Sequence, residues 1–131
     1  MLFTQPSYDE NNQSILIVDD DEMVLDILSK GLGMYGLNVF KAENGLDGWR
    51  LFQNQPVEIV LTDIQMPGLD GIELSKRIRN HSPHTQIAVM TGGNTDIAAE
   101  LLNDGTATFL FKKPFAISCV CKSLLSEAWM A

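Results

Sequence analysis

Four short apolar runs punctuate the chain: Ile15-Leu16-Ile17-Val18, Val57 to Leu61 broken only by Glu58, Ile87-Ala88-Val89-Met90, and Thr108 to Phe111. Each is too short for a helix and apolar at successive rather than alternate positions, the pattern of a strand covered on both faces. Asn38 to Ala42 alternates polar and apolar residues instead, which predicts an edge strand. Helical spacing fills the intervals. Val24, Leu25, Leu28, Leu32 and Tyr35 form one apolar stripe, and Gly36 supplies its stop. Asn44 is placed to cap a short helix carrying Leu46, Trp49 and Phe52 on one side. Further helices are predicted from Gly71 to Asn80 with Leu74 and Ile78 inward, from Thr95 to Asp104 ending at Gly105, and from Ala116 to Trp129.

Five strands, each followed by a helix, require right-handed crossovers and hence a parallel sheet with helices on both faces. The predicted fold is α/β, a doubly wound five-stranded sheet of order 2-1-3-4-5, with the edge-like second strand outside. In that architecture a site lies at the carboxyl ends of the strands, near the switch point between the first and third. Residues 1–13, polar and irregular with Pro6 among them, are expected to be a flexible tail ahead of one domain over 14–131.

Composition narrows the class. A chain of 131 residues fits one core, and 45% apolar with 20% charged residues excludes a disordered protein. No apolar run reaches the ~18 residues of a membrane span, and the N-terminus lacks a signal-peptide pattern, so the expected location is cytoplasmic. A net charge of −8 disfavours nucleic acid and favours partners with basic or apolar docking surfaces. Cys119 and Cys121 sit two apart on a predicted helix and point in different directions, so neither a disulfide nor a zinc site is expected.

The chemistry gathers where the strands end. Asp19-Asp20-Asp21-Glu22 follows the first strand, Thr62-Asp63 the third, Thr91-Gly92-Gly93 the fourth and Lys112-Lys113-Pro114 the fifth. Converging carboxylates raise each other's pKa unless a cation offsets them, and an all-oxygen set selects Mg2+ or Mn2+ over zinc. With a hydroxyl and a lysine added, such a rim binds a metal and, through it, a phosphoryl group. Each piece alone has a plainer reading: the acid run caps a helix, Asp63 opens a turn, Thr91 bonds backbone and Lys113 is a solvated charge. Matching chemistry at four independent strand ends is what those readings leave unexplained.

At these positions the sequence resembles the receiver domains of two-component response regulators. Leu16-Ile17-Val18-Asp19-Asp20-Asp21, the stretch from Thr62 to Gly71, Met90-Thr91-Gly92 and Lys113-Pro114-Phe115 match the family's motifs in order, within a likeness running from Ser14 to the C-terminus. The resemblance implies a flavodoxin-like receiver fold that takes a phosphoryl group onto Asp63 from the phosphohistidine of a sensor histidine kinase or histidine phosphotransfer protein. It implies that Asp19, Asp20, Asp63 and the Gln65 backbone carbonyl hold Mg2+ (or Mn2+), while Thr91 and Lys113 receive phosphoryl oxygens. It further implies a cis Lys113–Pro114 bond, a switching α4-β5-α5 surface, and a monomer or a phosphorylation-dependent dimer. Such a domain is a signalling module, not an enzyme on a separate substrate, although it catalyses its own phosphotransfer and dephosphorylation. Gln65 and Gly93 flank the path of attacking water, so the phosphoryl lifetime is expected to be not unusually long.

Two positions depart from the family pattern. The interval from Gly105 to Lys113 is one residue longer than usual, which allows a bulge in the fifth strand or a role for Lys112. Lys113 is preferred because proline follows it directly. The aromatic switch position falls on Phe109 when counted from Gly105 and on Leu110 when counted back from Lys113; Phe109 is taken as the candidate, with a packed core role as its alternative. A haloacid-dehalogenase-type phosphatase would need an acid where Gln65 stands. A flavodoxin holding FMN would need a hydroxyl- and glycine-rich loop where the first acids stand. A stand-alone receiver and a receiver fragment of a larger regulator or hybrid kinase both remain compatible.

Overall fold

The computed structural model describes residues 13–93 and 95–130, with side-chain surroundings through 125. The expected tail over 1–13 lies outside the described residues, Gln13 excepted. Strands β1 (Ser14–Val18), β2 (Asn38–Ala42), β3 (Ile59–Asp63), β4 (Gln86–Thr91) and β5 (Phe109–Lys112) form one sheet in the order 2-1-3-4-5. Every pairing is parallel. The helices are α1 (Glu22–Met34), α2 (Gly45–Asn54), α3 (Gly71–His81), α4 (Asp96–Asn103) and α5 (Ile117–Met130).

Alternation along the strands divides the core into two layers. Ile15, Ile17, Ile59, Leu61, Ala88 and Met90 face Leu25, Leu28 and Leu32 of α1 and Val120 and Leu124 of α5. Leu16, Val18, Val60, Ile87 and Val89 face Phe52 of α2, Leu74 and Ile78 of α3, and Ala98 and Leu101 of α4. This two-sided covering explains why β1, β3 and β4 read as continuous apolar runs. The edge strands keep exposed positions, Asn38 and Lys41 on β2 and Lys112 on β5.

Several local readings need correction. Tyr35 and Leu46, expected on inward stripes, are 41% and 44% exposed. The buried face of α2 is made by Gly45, Gly48 and Phe52, with Gly45 lying against the Leu69 backbone of the loop after β3 and Gly48 against Val18 of β1. β3 begins at Ile59, not Val57, and runs on through Asp63. Glu58 stays outside it and accepts a 2.6 Å hydrogen bond from the Ser14 backbone N–H. The extra residue before Lys113 makes no bulge: Ala88 to Thr91 pair consecutively with Phe109 to Lys112. The added length is taken up ahead of the strand, where Gly105 turns at φ +84° and Ala107 N–H returns to the Leu101 carbonyl.

Both cysteines are free, Cys119 exposed and Cys121 buried. Burial pushes the Cys121 thiol up to about 11, so it stays protonated at neutral pH. No helix among the described residues is long and apolar enough to cross a membrane.

Candidate functional site

The acid run after β1 divides its labour. Asp21 is the N-cap of α1, accepting from the Met23 and Val24 N–H groups at 3.0 and 3.4 Å. Asp19 is fully buried, and its Oδ1 accepts from the Asp21 N–H at 2.9 Å. Asp20 between them is exposed. Thus the capping reading is correct for Asp21, while Asp19 and Asp20 turn toward β3. There Asp19, Asp20 and Asp63 each offer a carboxylate oxygen within 4.8 Å of the other two.

Lys113 ties this cluster together. Its Nζ donates to Asp19 Oδ2 at 3.0 Å and to Asp63 Oδ2 at 3.2 Å. Backbone pairing fixes its place, since Lys113 N–H donates to the Thr91 carbonyl at 2.7 Å. The Lys113–Pro114 bond is cis. Lys112, one residue earlier on the pleated strand, is exposed. Thr91 closes β4 beside it, buried, with its hydroxyl accepting from the Gly93 N–H at 3.3 Å.

Phe109 is not brought to Thr91. It packs with Phe111 and Phe115 on the α1–α5 side, ring centroids 6.2 Å from Phe111, while Leu110 lies on the opposite side. Thr91 follows Val89 by two residues and so shares its face, and Val89 pairs with Leu110. The residue on the Thr91 side of β5 is therefore Leu110.

Position Gly71 matters more than its place in a motif indicated. Its N–H donates to the Ile64 carbonyl at 2.8 Å. A Cβ there would overlap the Asp63 carbonyl oxygen and lie 2.8 Å from its carbon. The α3 N-terminus, capped by Asp70 accepting from Glu73 N–H at 2.9 Å, thereby holds the end of β3 from behind. A glycine as the first residue of a helix, where better helix formers are usual, is the sequence signal for such an approach.

Charge follows from this crowding. Burial pushes the Asp63 carboxyl above its ordinary value and the Asp19 charge adds to it, against opposition from Lys113 and the Gln65 N–H. Burial alone would lower the Lys113 ammonium, but hydrogen bonds and charges from Asp19 and Asp63 hold it above its ordinary value. Three carboxylates against one lysine, with oxygen donors alone, fit a hard divalent cation.

The raised Asp63 carboxyl has a measurable consequence. Its folded-state pKa lies above the unfolded value, so the stability that this group contributes is fully present at acid pH and is lost as pH rises through the folded value. Asp63→Asn removes that loss. Without metal, the variant is expected to melt at higher temperature than wild type at neutral pH. The difference should shrink below the ordinary carboxylate range. A variant that melts lower at neutral pH in calorimetry contradicts the electrostatic account.

A doubly wound sheet with acids, hydroxyl and lysine converging at its switch point defines a receiver-type α/β module. The chain belongs to the response regulator receiver domain family, whose model matches residues 15–124. It is 35% identical over 107 residues to sporulation initiation phosphotransferase F of Bacillus subtilis, covering 81% of this chain and 86% of that protein. It is 34% identical over 100 residues to the autoinducer 1 sensor kinase/phosphatase LuxN of Vibrio campbellii, covering 75% of this chain but 12% of that protein. A CheY-like response regulator receiver domain protein from Methanospirillum hungatei shares the fold, with a TM-score of 0.83 at 24% identity over 88% of this chain and 93% of that one. The chain is a receiver domain of two-component signal transduction, homologous to response regulators and to part of a sensor kinase.

Proposed function

We propose that Asp63 accepts a phosphoryl group from a phosphohistidine on a sensor histidine kinase or histidine phosphotransfer protein. The observation that carries this reading is the Lys113 ammonium set between Asp19 and Asp63, at 3.0 and 3.2 Å, beside a three-carboxylate cluster. An Asp63 carboxylate oxygen forms the new bond to phosphorus. The bond from phosphorus to the donor imidazole nitrogen breaks, and its electron pair stays on that nitrogen. Asp19, Asp20, Asp63 and the Gln65 backbone carbonyl would hold Mg2+, or Mn2+ with the same donor preference, which supplies positive charge to the phosphoryl oxygens. Lys113 exchanges its bond to Asp63 for one to a phosphoryl oxygen, and the Thr91 hydroxyl donates to another.

The module signals by protein contact. Its output is the surface made by α4, β5 and α5, with Leu110 rather than Phe109 following Thr91. The domain works in the cytoplasm, as a monomer or a phosphorylation-dependent dimer, and makes no contact with nucleic acid. It also hydrolyses its own aspartyl phosphate, water entering between Gln65 and Gly93, where an added Cβ on Gly93 would meet nothing within 4 Å. After phosphorylation with acetyl phosphate and Mg2+, neutral hydroxylamine is expected to remove the phosphoryl group and leave a hydroxamate on Asp63, read by peptide mass spectrometry. A phosphoryl group that resists hydroxylamine contradicts the assignment. One that persists for many hours after the donor is removed contradicts self-catalysed hydrolysis.

A further inference from the structure

The connection after β2 contributes no charged group to the acid cluster, yet it touches both elements that carry the cluster. On one side, the Asp19 N–H donates to the Ala42 carbonyl at 3.2 Å. A Cβ on Gly48 would lie 3.0 Å from Val18 Cγ2, immediately before Asp19. On the other side, a Cβ on Gly45 would overlap the Leu69 carbonyl oxygen and lie 2.8 Å from its carbon. Leu69 closes the loop that begins at Asp63 and contains Gln65. The far end of that loop is held at Gly71, whose N–H donates to the Ile64 carbonyl.

The start of α2 is itself fixed. Asn44 caps it, accepting from the Asp47 N–H at 2.8 Å and donating through its side-chain nitrogen to Asp47 at 3.0 Å. With its first turn closed by that cap and Gly48 already against Val18, the helix end has little room to move from the Leu69 carbonyl, so a methyl group at Gly45 acts on the Leu69 side. Gly33 gives the internal contrast: it is also helical, and a Cβ there meets nothing within 4 Å.

We infer that Gly45 is a positioning residue for the proposed cation site: the α2 start is a spacer that sets the gap between Asp19 and Asp20 on one wall and the Asp63–Leu69 loop on the other. This rests on the proposed Mg2+ role. A methyl group at Gly45 forces Leu69 away and widens the gap. Mg2+ binds at about 2.0–2.1 Å with strict octahedral demands, whereas Ca2+ tolerates about 2.3–2.6 Å and looser geometry. Widening therefore penalises Mg2+ more than Ca2+.

Isothermal titration of the whole protein with Mg2+ alone and with Ca2+ alone tests this. Gly45→Ala is expected to weaken Mg2+ binding about tenfold, the scale seen when residues that orient metal ligands are changed, and Ca2+ binding distinctly less. Gly33→Ala should leave both affinities as in wild type. A general loss of stability would not change the Mg2+ to Ca2+ ratio in protein that circular dichroism shows to be folded. If Gly45→Ala does not fold, Gly48→Ala is the milder variant, expected to shift the ratio in the same direction. A wild-type ratio in the folded variant tested overturns the spacer. Wild type that binds neither ion overturns the cation site itself, a different failure.

Discussion

Gly71→Ala is expected to lose about 3 kcal/mol of folding stability or more, the upper range for inserting volume into a close-packed site, and to lose phosphorylation of Asp63 with it. The new methyl group has no space, because it would overlap the Asp63 carbonyl oxygen. Neither partner yields easily. Asp63 closes the central strand β3, hydrogen-bonded to β4 through the Ile64 N–H and Met90 carbonyl at 3.1 Å. Gly71 opens α3, whose Leu74 and Ile78 are wholly buried. Relief requires either the helix or the strand end to shift, and the second displaces the nucleophile. Gly33→Ala, with open space around the added methyl, should be neutral or stabilising by up to about 1 kcal/mol from helix propensity. Urea unfolding compares the two; a Gly71→Ala variant within about 0.5 kcal/mol of wild type would contradict the close approach.

Lys113→Met comes next in size. Asp19 is fully buried, and its Oδ2 is matched by Lys113. Removing one partner of a buried ion pair leaves an uncompensated charge, typically about 3–5 kcal/mol. Lys113 retains some exposure and Asp19 keeps the Asp21 N–H, so a loss of about 2 kcal/mol at neutral pH is expected, below that range. The deficit should diminish in acid, where the raised Asp63 carboxyl takes up its proton, and on adding Mg2+, which replaces the lost charge. Lys112→Met should change stability by no more than about 0.5 kcal/mol, as a surface substitution. Equal effects of the two substitutions in urea unfolding would contradict the assignment of Lys113.

The sheet order and the rim were legible because they depend on covering. Strands buried on both faces must be continuously apolar, and crossovers of one hand then bring their carboxyl ends together. Asp63, Thr91 and Lys113 were readable as the residues at those ends, and a proline after Lys113 marked it over Lys112. What escaped were features of approach and of face. Leu46 fits a helical stripe as well as Phe52 does, and the close approach of Gly45 to the Leu69 loop and of Gly48 to Val18 turns it outward. Phe109 and Leu110 differ by one position on a strand, so an undetermined turn length before β5 exchanged their faces. Gly71 read as punctuation, since a sequence shows a glycine but not the carbonyl behind it.

Asp63 as the phosphoacceptor of a metal-dependent site can be put to direct test. Intact-protein mass spectrometry after incubation with acetyl phosphate tests it most directly. Wild type with Mg2+ is expected to gain the mass of one phosphoryl group, and to gain nothing once the metal is chelated. Asp63→Asn should gain nothing in either condition. No gain by wild type with Mg2+, or an undiminished gain by Asp63→Asn, would contradict the account.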